Sequence, residues 1–248
     1  MRIAVAGGTG TVGRHVVARA QAAGHEVVVL SRSRGVDVAR GTGLDDALTG
    51  VEAVIDVANP DTIERDRAAR FFTDVASALQ RAAARAGVRH IVTLSIVGIE
   101  ATSFGYYRAK LDQELAAADG PVPFTIQRAT QFHELPVQLM GITRQDSRAS
   151  VFDAQVRPVA ARTVGEVLVE VATGAPAGRT PDLAGPREDN LVEMARTFVV
   201  RRGLDIAVDP QAMAGVPERA LLPGDGARIQ GPAFEEWLAS EDALALTL

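Results

Sequence analysis

A short apolar run, Arg2-Ile3-Ala4-Val5-Ala6, leads directly into Gly7-Gly8-Thr9-Gly10-Thr11-Val12-Gly13 and then into a helical pattern that stops at Gly24. Small and β-branched residues, then residues free to take positive φ, then apolar positions at helical spacing spell strand, turn and helix. Glycines at 7, 10 and 13 make G-x-x-G-x-x-G. That spacing permits a tight turn and lets backbone N–H groups approach an anion. It also sets the partial positive charge of a helix start beneath that anion. Gly13 would let the helix pack closely on the sheet. The competing reading is a tight turn with no ligand. Context favours a dinucleotide, because the motif follows a strand, opens a helix and meets a second strand, Val27–Leu30, about twenty residues on. A Walker-type phosphate loop is excluded, since no Lys-Ser/Thr follows the glycines.

The first half of the chain continues this alternation. Strands are expected at Ile3–Ala6, Val27–Leu30, Ala53–Ala58, His90–Leu94 and Phe124–Gln127, with a short one near Val36–Val38. The first four are nearly continuous in apolar residues, as strands covered on both faces must be. Helices are expected over Thr11–Ala23, between Asp61 and Gly87, and over Tyr106–Ala117, Phe132–Met140, Thr163–Ala172 and Leu191–Arg201. In the long one, Asp61 and Glu64 resemble a capping box, and Ile63, Phe71, Phe72, Val75, Leu79 and Ala83 form one apolar stripe. Beyond about Leu135 the pattern weakens. Ser150–Val159 and Thr180–Ala184 read as strands, the latter at the sheet edge, and Phe234–Ser240 as a short helix carrying the only Trp. The fold class is therefore α/β: a doubly wound parallel sheet of Rossmann type, strand order 3-2-1-4-5-6, in a single domain spanning 1–248. Its nucleotide-binding core covers about 1–135, and a less regular substrate side covers about 136–248.

Composition narrows the function. At 248 residues and 47% apolar the chain can bury a large core, and its net charge of −5 argues against a nucleic-acid grip or a polybasic membrane surface. There is no cysteine, so disulfides, thiolate nucleophiles and Cys-ligated metals are out. His15, His25, His90 and His133 are scattered without metal-ligand spacing, and no metal is expected. No apolar run approaches the ~20 residues of a membrane span, and a strand at residue 2 leaves no room for a signal peptide. A cytoplasmic monomer or homodimer acting on a small molecule is expected.

The end of the second strand selects the cofactor. A carboxylate there would hold the ribose hydroxyls of NAD; instead the chain reads Ser31-Arg32-Ser33-Arg34, with no acid before Asp37. A guanidinium fork suits a 2′-phosphate, so NADP(H) is favoured over NAD(H). A solvated basic turn is the alternative.

One oddity points to chemistry. Lys110 is the only lysine in the chain, and it follows Tyr106, one of two tyrosines, by four residues. Random placement would do this in about 1% of cases. On a helix that spacing puts both on one face. An adjacent ammonium is expected to lower the phenol's pKa and to donate to ribose hydroxyls of a bound nucleotide. Ser95, ending the strand His90–Leu94, would hold a carbonyl oxygen beside the phenol. An exposed helical Tyr and Lys without function is the bland alternative.

The stretches Ala6–Gly13, Val54-Ile55-Asp56-Val57-Ala58-Asn59, Leu94–Gly98, Tyr106–Lys110 and Arg128–Phe132 resemble the atypical short-chain dehydrogenases/reductases of the NAD(P)H-binding, epimerase-like branch. The resemblance covers roughly residues 1–135. It implies a cofactor loop at Gly7, Thr9, Gly10, Thr11, Val12 and Gly13, a Ser95–Tyr106–Lys110 catalytic triad, and cofactor contacts from Val57, Ala58, Asn59 and Thr130. The implied activity is an NADP(H)-dependent oxidoreductase moving hydride between nicotinamide and a small carbonyl or quinone-like substrate. A non-catalytic NADP(H) sensor and a sugar-nucleotide epimerase-like enzyme are the alternatives. Phe104, Phe132 and His133 are candidates for the substrate pocket wall, with core packing as their bland reading.

Overall fold

The computed structural model describes all residues, 1–248. Its elements run β1 (Arg2–Ala6), α1 (Gly13–Ala22), β2 (Glu26–Leu30), α2 (Leu44–Ala47), β3 (Ala53–Asp56), α3 (Arg65–Ala86), β4 (His90–Ile96), α4 (Gly105–Ala118), β5 (Phe124–Ala129) and α5 (Leu135–Thr143). There follow β6 (Arg148–Asp153), β7 (Gln155–Val156), α6 (Ala161–Thr173), β8 (Gly178–Arg179), β9 (Leu183–Ala184), β10 (Asp189–Asn190), α7 (Leu191–Arg202), β11 (Ala207–Ala212), β12 (Arg228–Ile229), α8 (Phe234–Trp237) and α9 (Glu241–Leu244).

The main sheet has the order β12-β9-β5-β4-β3-β1-β2, all parallel, with β8 also beside β5. Successive residues of β1 face opposite layers. Ile3 and Val5 pack with Ile55, Val92 and Leu94 beneath α1 and α6. Ala4 and Ala6 pack with Val54 and Ile91 beneath α3. All four are fully buried, which is why this strand reads as an uninterrupted apolar run. The chain leaves β1 toward β2 on one side and toward β3 on the other. The carboxyl ends of β1 and β3 are therefore the switch point, the place where doubly wound sheets bind ligands.

Several expectations change. The outermost strand near Val36–Val38 is absent; Asp37 makes only an isolated bridge to Thr42. The expected strand order thus holds without its first edge strand. α3 starts at Arg65, because Glu64 rather than Asp61 caps it, accepting from the backbone N–H of Asp66 and Arg67. Ile63 lies outside the helix and is 62% exposed, so it leaves the buried stripe. α5 begins at Leu135, with Pro136 in its first turn, so Phe132 and His133 precede the helix.

The region predicted as one strand over Ser150–Val159 is divided: β6 pairs with β11 and β7 with β10, both away from the main sheet. The strand expected at Thr180–Ala184 does lie beside β5, but β12 forms the outer edge. α5, β6, α7, β11 and α8 enclose a second apolar cluster around Phe198, Met140 and Trp237. The segment between β11 and β12 stands over the carboxyl end of β4: Gly98, just past β4, is so close to the backbone of Ala220 that a Cβ there would lie 1.7 Å from its carbonyl oxygen.

Candidate active site

The glycine loop is built to different tolerances at its three positions. Gly7 has φ +78°, and a Cβ on it would lie 2.6 Å from the Val57 carbonyl oxygen and 2.8 Å from the Ala58 nitrogen. A Cβ on Gly13 would lie 2.0 Å from the Gly7 carbonyl oxygen. Protein neighbours alone require both glycines. Gly10 differs: a Cβ there meets only Gly7 O, at 3.3 Å, and otherwise open space. Space kept clear above a turn that opens a helix without a side-chain cap or an acidic first turn suits a pyrophosphate. The Thr11 hydroxyl accepts a 2.8 Å hydrogen bond from Gln138 Nε2 of α5, tying the second layer to the loop. Thr9 is exposed, while the Val12 side chain belongs to the core.

After β2 the chain makes a 3₁₀ turn over Arg32–Arg34, with the Ser31 and Ser33 hydroxyls 3.1 Å apart. Arg32 and Arg34 are exposed and hold neither an ion pair nor a side-chain hydrogen bond, whereas Arg85 and Arg228 pair with Asp45 and Glu170. Asp37 turns away to accept from the Arg40 backbone N–H.

The tyrosine of α4 reaches the loop after β3, at the switch point, and the lysine reaches the end of β4. The Tyr106 hydroxyl donates to Asn59 Oδ1 at 2.5 Å. Its ring packs edge-on against Phe72 of α3 with centroids 5.7 Å apart, and Lys110 Nζ stands 4.7 Å from the centroid of the same Phe72 ring. Lys110 is buried and donates to the Leu94 carbonyl at 2.7 Å and to Gln113 Oε1 at 2.5 Å. Gln113 Nε2 donates in turn to Asp56 Oδ2 at 2.9 Å, and Asp56 Oδ1 accepts from the Ala58 N–H at 3.0 Å.

Burial brings the Lys110 ammonium down to about 8, against the pull of Asp56 and then Glu114. Burial raises the Asp56 carboxyl, opposed by the Ala58 N–H, the Lys110 charge and Gln113. The expected lowering of the Tyr106 phenol by Lys110 is not realised. Burial, and next the neighbouring Tyr107, hold that phenol above its ordinary value, and only the Asn59 hydrogen bond acts downward. Tyr106 in this arrangement is a neutral proton donor. Ser95 is buried on β4 with its hydroxyl unpartnered.

The pocket candidates separate. Phe104 packs edge-on against Tyr107 at 5.3 Å and Phe152 at 6.1 Å, in an aromatic cluster that includes Leu221, Met213 and Val216. Those last three also line a cavity of about 680 Å³ with Asp153, Gln155 and Glu218. Phe132 instead bridges Val159 and packs against the α1–α6 core. His133 is fully buried against Trp237 and Phe234, bonded to the Pro232 carbonyl at 3.1 Å, and desolvation brings it down to about 4. It packs in the apolar cluster around Trp237 rather than with Phe104. The Thr130 hydroxyl is committed to the Arg157 carbonyl at 2.6 Å.

Sequence reasoning missed Asp56, Gln113, Gln138 and Gln131. Asp56 was visible as the lone charge in an apolar strand, and Gln113 as the residue one helical turn beyond the lysine. Gln131, just past β5, buries a carboxamide with neither polar atom bonded, near Tyr107 but outside hydrogen-bond geometry. Burial pushes the Tyr107 phenol up to about 12. No group of His, Asp or Glu is arranged to hold a metal, and no helix is long and apolar enough to cross a membrane.

Comparison with known proteins agrees with this fold. MoeE5, solved with UDP-glucose and NAD, superposes with a TM-score of 0.79 at 16% identity over 98% of both chains. The NADPH-dependent quinone oxidoreductase of Escherichia coli superposes at 0.63 with 18% identity, over 85% of this chain and 78% of that one. In sequence, a (4-alkanoyl-5-oxo-2,5-dihydrofuran-3-yl)methyl phosphate reductase of Streptomyces griseus is 34% identical over 202 residues, covering 74% of this chain and 68% of that protein. Residues 3–101, from β1 through the turn after β4, match the NAD dependent epimerase/dehydratase family. With its glycine loop at the switch point of the sheet and a relative this similar in sequence, the chain belongs to that NAD dependent epimerase/dehydratase family.

Proposed function

We propose that this protein is an NADP(H)-dependent oxidoreductase acting on a small carbonyl or quinone-like substrate. The observation that carries the reading is the loop after β3. Val57 and Ala58 of this loop touch Gly7 of the glycine turn, and the next residue, Asn59, receives the Tyr106 hydroxyl. A nucleotide lying along the glycine turn would thus run past the phenol. The names of two relatives support the coarse class, one a reductase of an alkanoyl, oxo-substituted phosphate and one an NADPH-dependent quinone oxidoreductase.

Residues 7–13 would hold the pyrophosphate through backbone N–H groups, with Gly10 leaving the space it needs. Arg32 and Arg34, unpaired, would take a 2′-phosphate, with Ser31 beside them. The bound nicotinamide supplies hydride chemistry. Tyr106, neutral and held by Asn59, supplies the proton to the substrate oxygen or removes it in the reverse direction. Ser95, with its hydroxyl free, holds that oxygen, and Lys110 uses the N–H that the protein leaves unbonded to grip the ribose. Phe104, with Met213, Val216 and Leu221 on the apolar side of the cavity beside it, would form the substrate wall. The test is NADPH oxidation across a panel of aldehydes, ketones and quinones, alongside NADPH and NADH titrations. Turnover of at least one class with NADPH preferred is expected. Tight NADPH binding with no turnover across the panel would instead favour a nucleotide sensor.

A further inference from the structure

Asp56, Gln113 and Lys110 are 0%, 1% and 5% exposed, and all three lie between the apolar surfaces of β3, β4, α3 and α4. A buried charged pair is a poor device for stability, since apolar residues of similar volume often do as well or better. This one is also indirect, with a carboxamide inserted between the carboxylate and the ammonium. Such an arrangement has a direction. A carboxylate only accepts and an ammonium only donates. Gln113 must therefore turn Nε2 toward Asp56 and Oε1 toward Lys110.

The other oxygen of Asp56 holds the Ala58 N–H, next to Asn59 and so next to the acceptor of Tyr106. One carboxylate thus reaches both members of the tyrosine–lysine pair. We propose that Asp56 and Gln113 are positioning residues: Oδ1 of Asp56 sets the loop that carries Asn59, and Oδ2, acting through Gln113, holds the Lys110 ammonium charged and in place. Its catalytic meaning rests on the reductase reading above.

The groups facing Lys110 are few. Asp56 comes from β3, the Leu94 carbonyl from β4 and the Phe72 ring from α3. Gln113, Tyr106 and Glu114 come from its own helix, and Glu114 is already taken by Arg128 of β5 at 2.7 and 2.8 Å. Asp56 is therefore the one nearby carboxylate not neutralised by an arginine.

Because Lys110 is the sole lysine, protein labelled with [¹³Cε]lysine gives a single side-chain signal whose pH titration reports this ammonium directly. Asp56→Asn should reverse the chain: Gln113 turns its oxygen to the new amide and an N–H to Lys110, and the midpoint falls by about one pH unit or more. Gln113→Met should also lower it, and should weaken NADPH binding severalfold. In Asp56→Asn/Gln113→Glu the carboxylate at position 113 accepts from both sides, and the midpoint should return to the unmodified value or above.

A purely structural role would lower melting temperatures without moving the midpoint. A midpoint unchanged in folded Gln113→Met, or not restored in the double variant, overturns the proposal; Gln113→Met decides the matter alone if Asp56→Asn does not fold. Full turnover in Lys110→Arg would remove the reductase site while leaving this titration standing, so the two failures are distinguishable.

Discussion

The Tyr106 hydroxyl rests 2.5 Å from Asn59 Oδ1, so the phenol of α4 is anchored to the loop that touches the glycine turn rather than to Lys110, its neighbour on the helix. The sequence spacing brings Tyr106 and Lys110 to one helix face, but the bond that places the phenol comes from the loop after β3. Tyr106→Phe should lower turnover by ~100-fold, the scale of one general acid, while NADPH affinity changes little. Steady-state kinetics beside a nucleotide titration checks this. Equal turnover would remove Tyr106 as the proton donor.

Lys110→Arg should cost both activity and stability. The ammonium is buried against the Phe72 ring and bonded to Leu94 and Gln113, leaving no room for a wider, forked guanidinium. Overpacking of this kind costs typically ~1–3 kcal/mol. Reading the helix spacing alone would predict a nearly unchanged melting temperature. Thermal denaturation separates these expectations.

The three glycines should respond differently. Gly10→Val should abolish nucleotide binding with the fold intact, because its side chain enters space the protein leaves empty. Gly13→Ala should destabilise by ~1–3 kcal/mol or more even without nucleotide, since the methyl would collide with the Gly7 carbonyl. Circular dichroism and nucleotide titration on both variants distinguish a ligand cradle from a packing site.

Arg32 and Arg34 should set cofactor choice. NADPH should bind at least ~10-fold more tightly than NADH, about 1.4 kcal/mol, and Ala at both positions should erase most of the difference. Because neither arginine holds an ion pair, the double replacement should leave stability unchanged. Identical titration curves for the two nucleotides on the unmodified protein would sink the assignment.

Glu134 predicts a pH effect. It is wholly buried at the start of α5, one oxygen accepting from the Ala161 N–H and the other unpartnered, and burial pushes its carboxyl up to about 7. The folded state holds this proton more tightly than the unfolded chain does. Its contribution is therefore fully present below the ordinary carboxyl range, is lost as pH rises toward 7, and is flat above; each unit of the gap is worth about 1.4 kcal/mol. Glu134→Gln should melt higher than the unmodified protein at pH 8, with the advantage vanishing near pH 4.5. An advantage independent of pH would mean that the carboxyl stays ionised when folded.

The legible parts of this protein are those encoded by local rules. The apolar run of β1, the glycine turn and the start of α1 occupy consecutive residues, so period and turn chemistry specify them without outside help. The Tyr106–Lys110 spacing is equally local, because one helical turn brings both side chains to Phe72. Sequence could not reveal that His133 would be sealed beneath Trp237, more than a hundred residues away, or that Val36–Val38 would find no strand to pair with. Nor could it join Asp56 to Gln113, or Gln138 to Thr11, since such contacts depend on how whole layers dock. Local propensity determined the sheet, the glycine turn and the candidate helix face. Tertiary packing alone decided which polar groups are desolvated, and burial sets both the proton affinity of Tyr106 and Lys110 and the partners they keep.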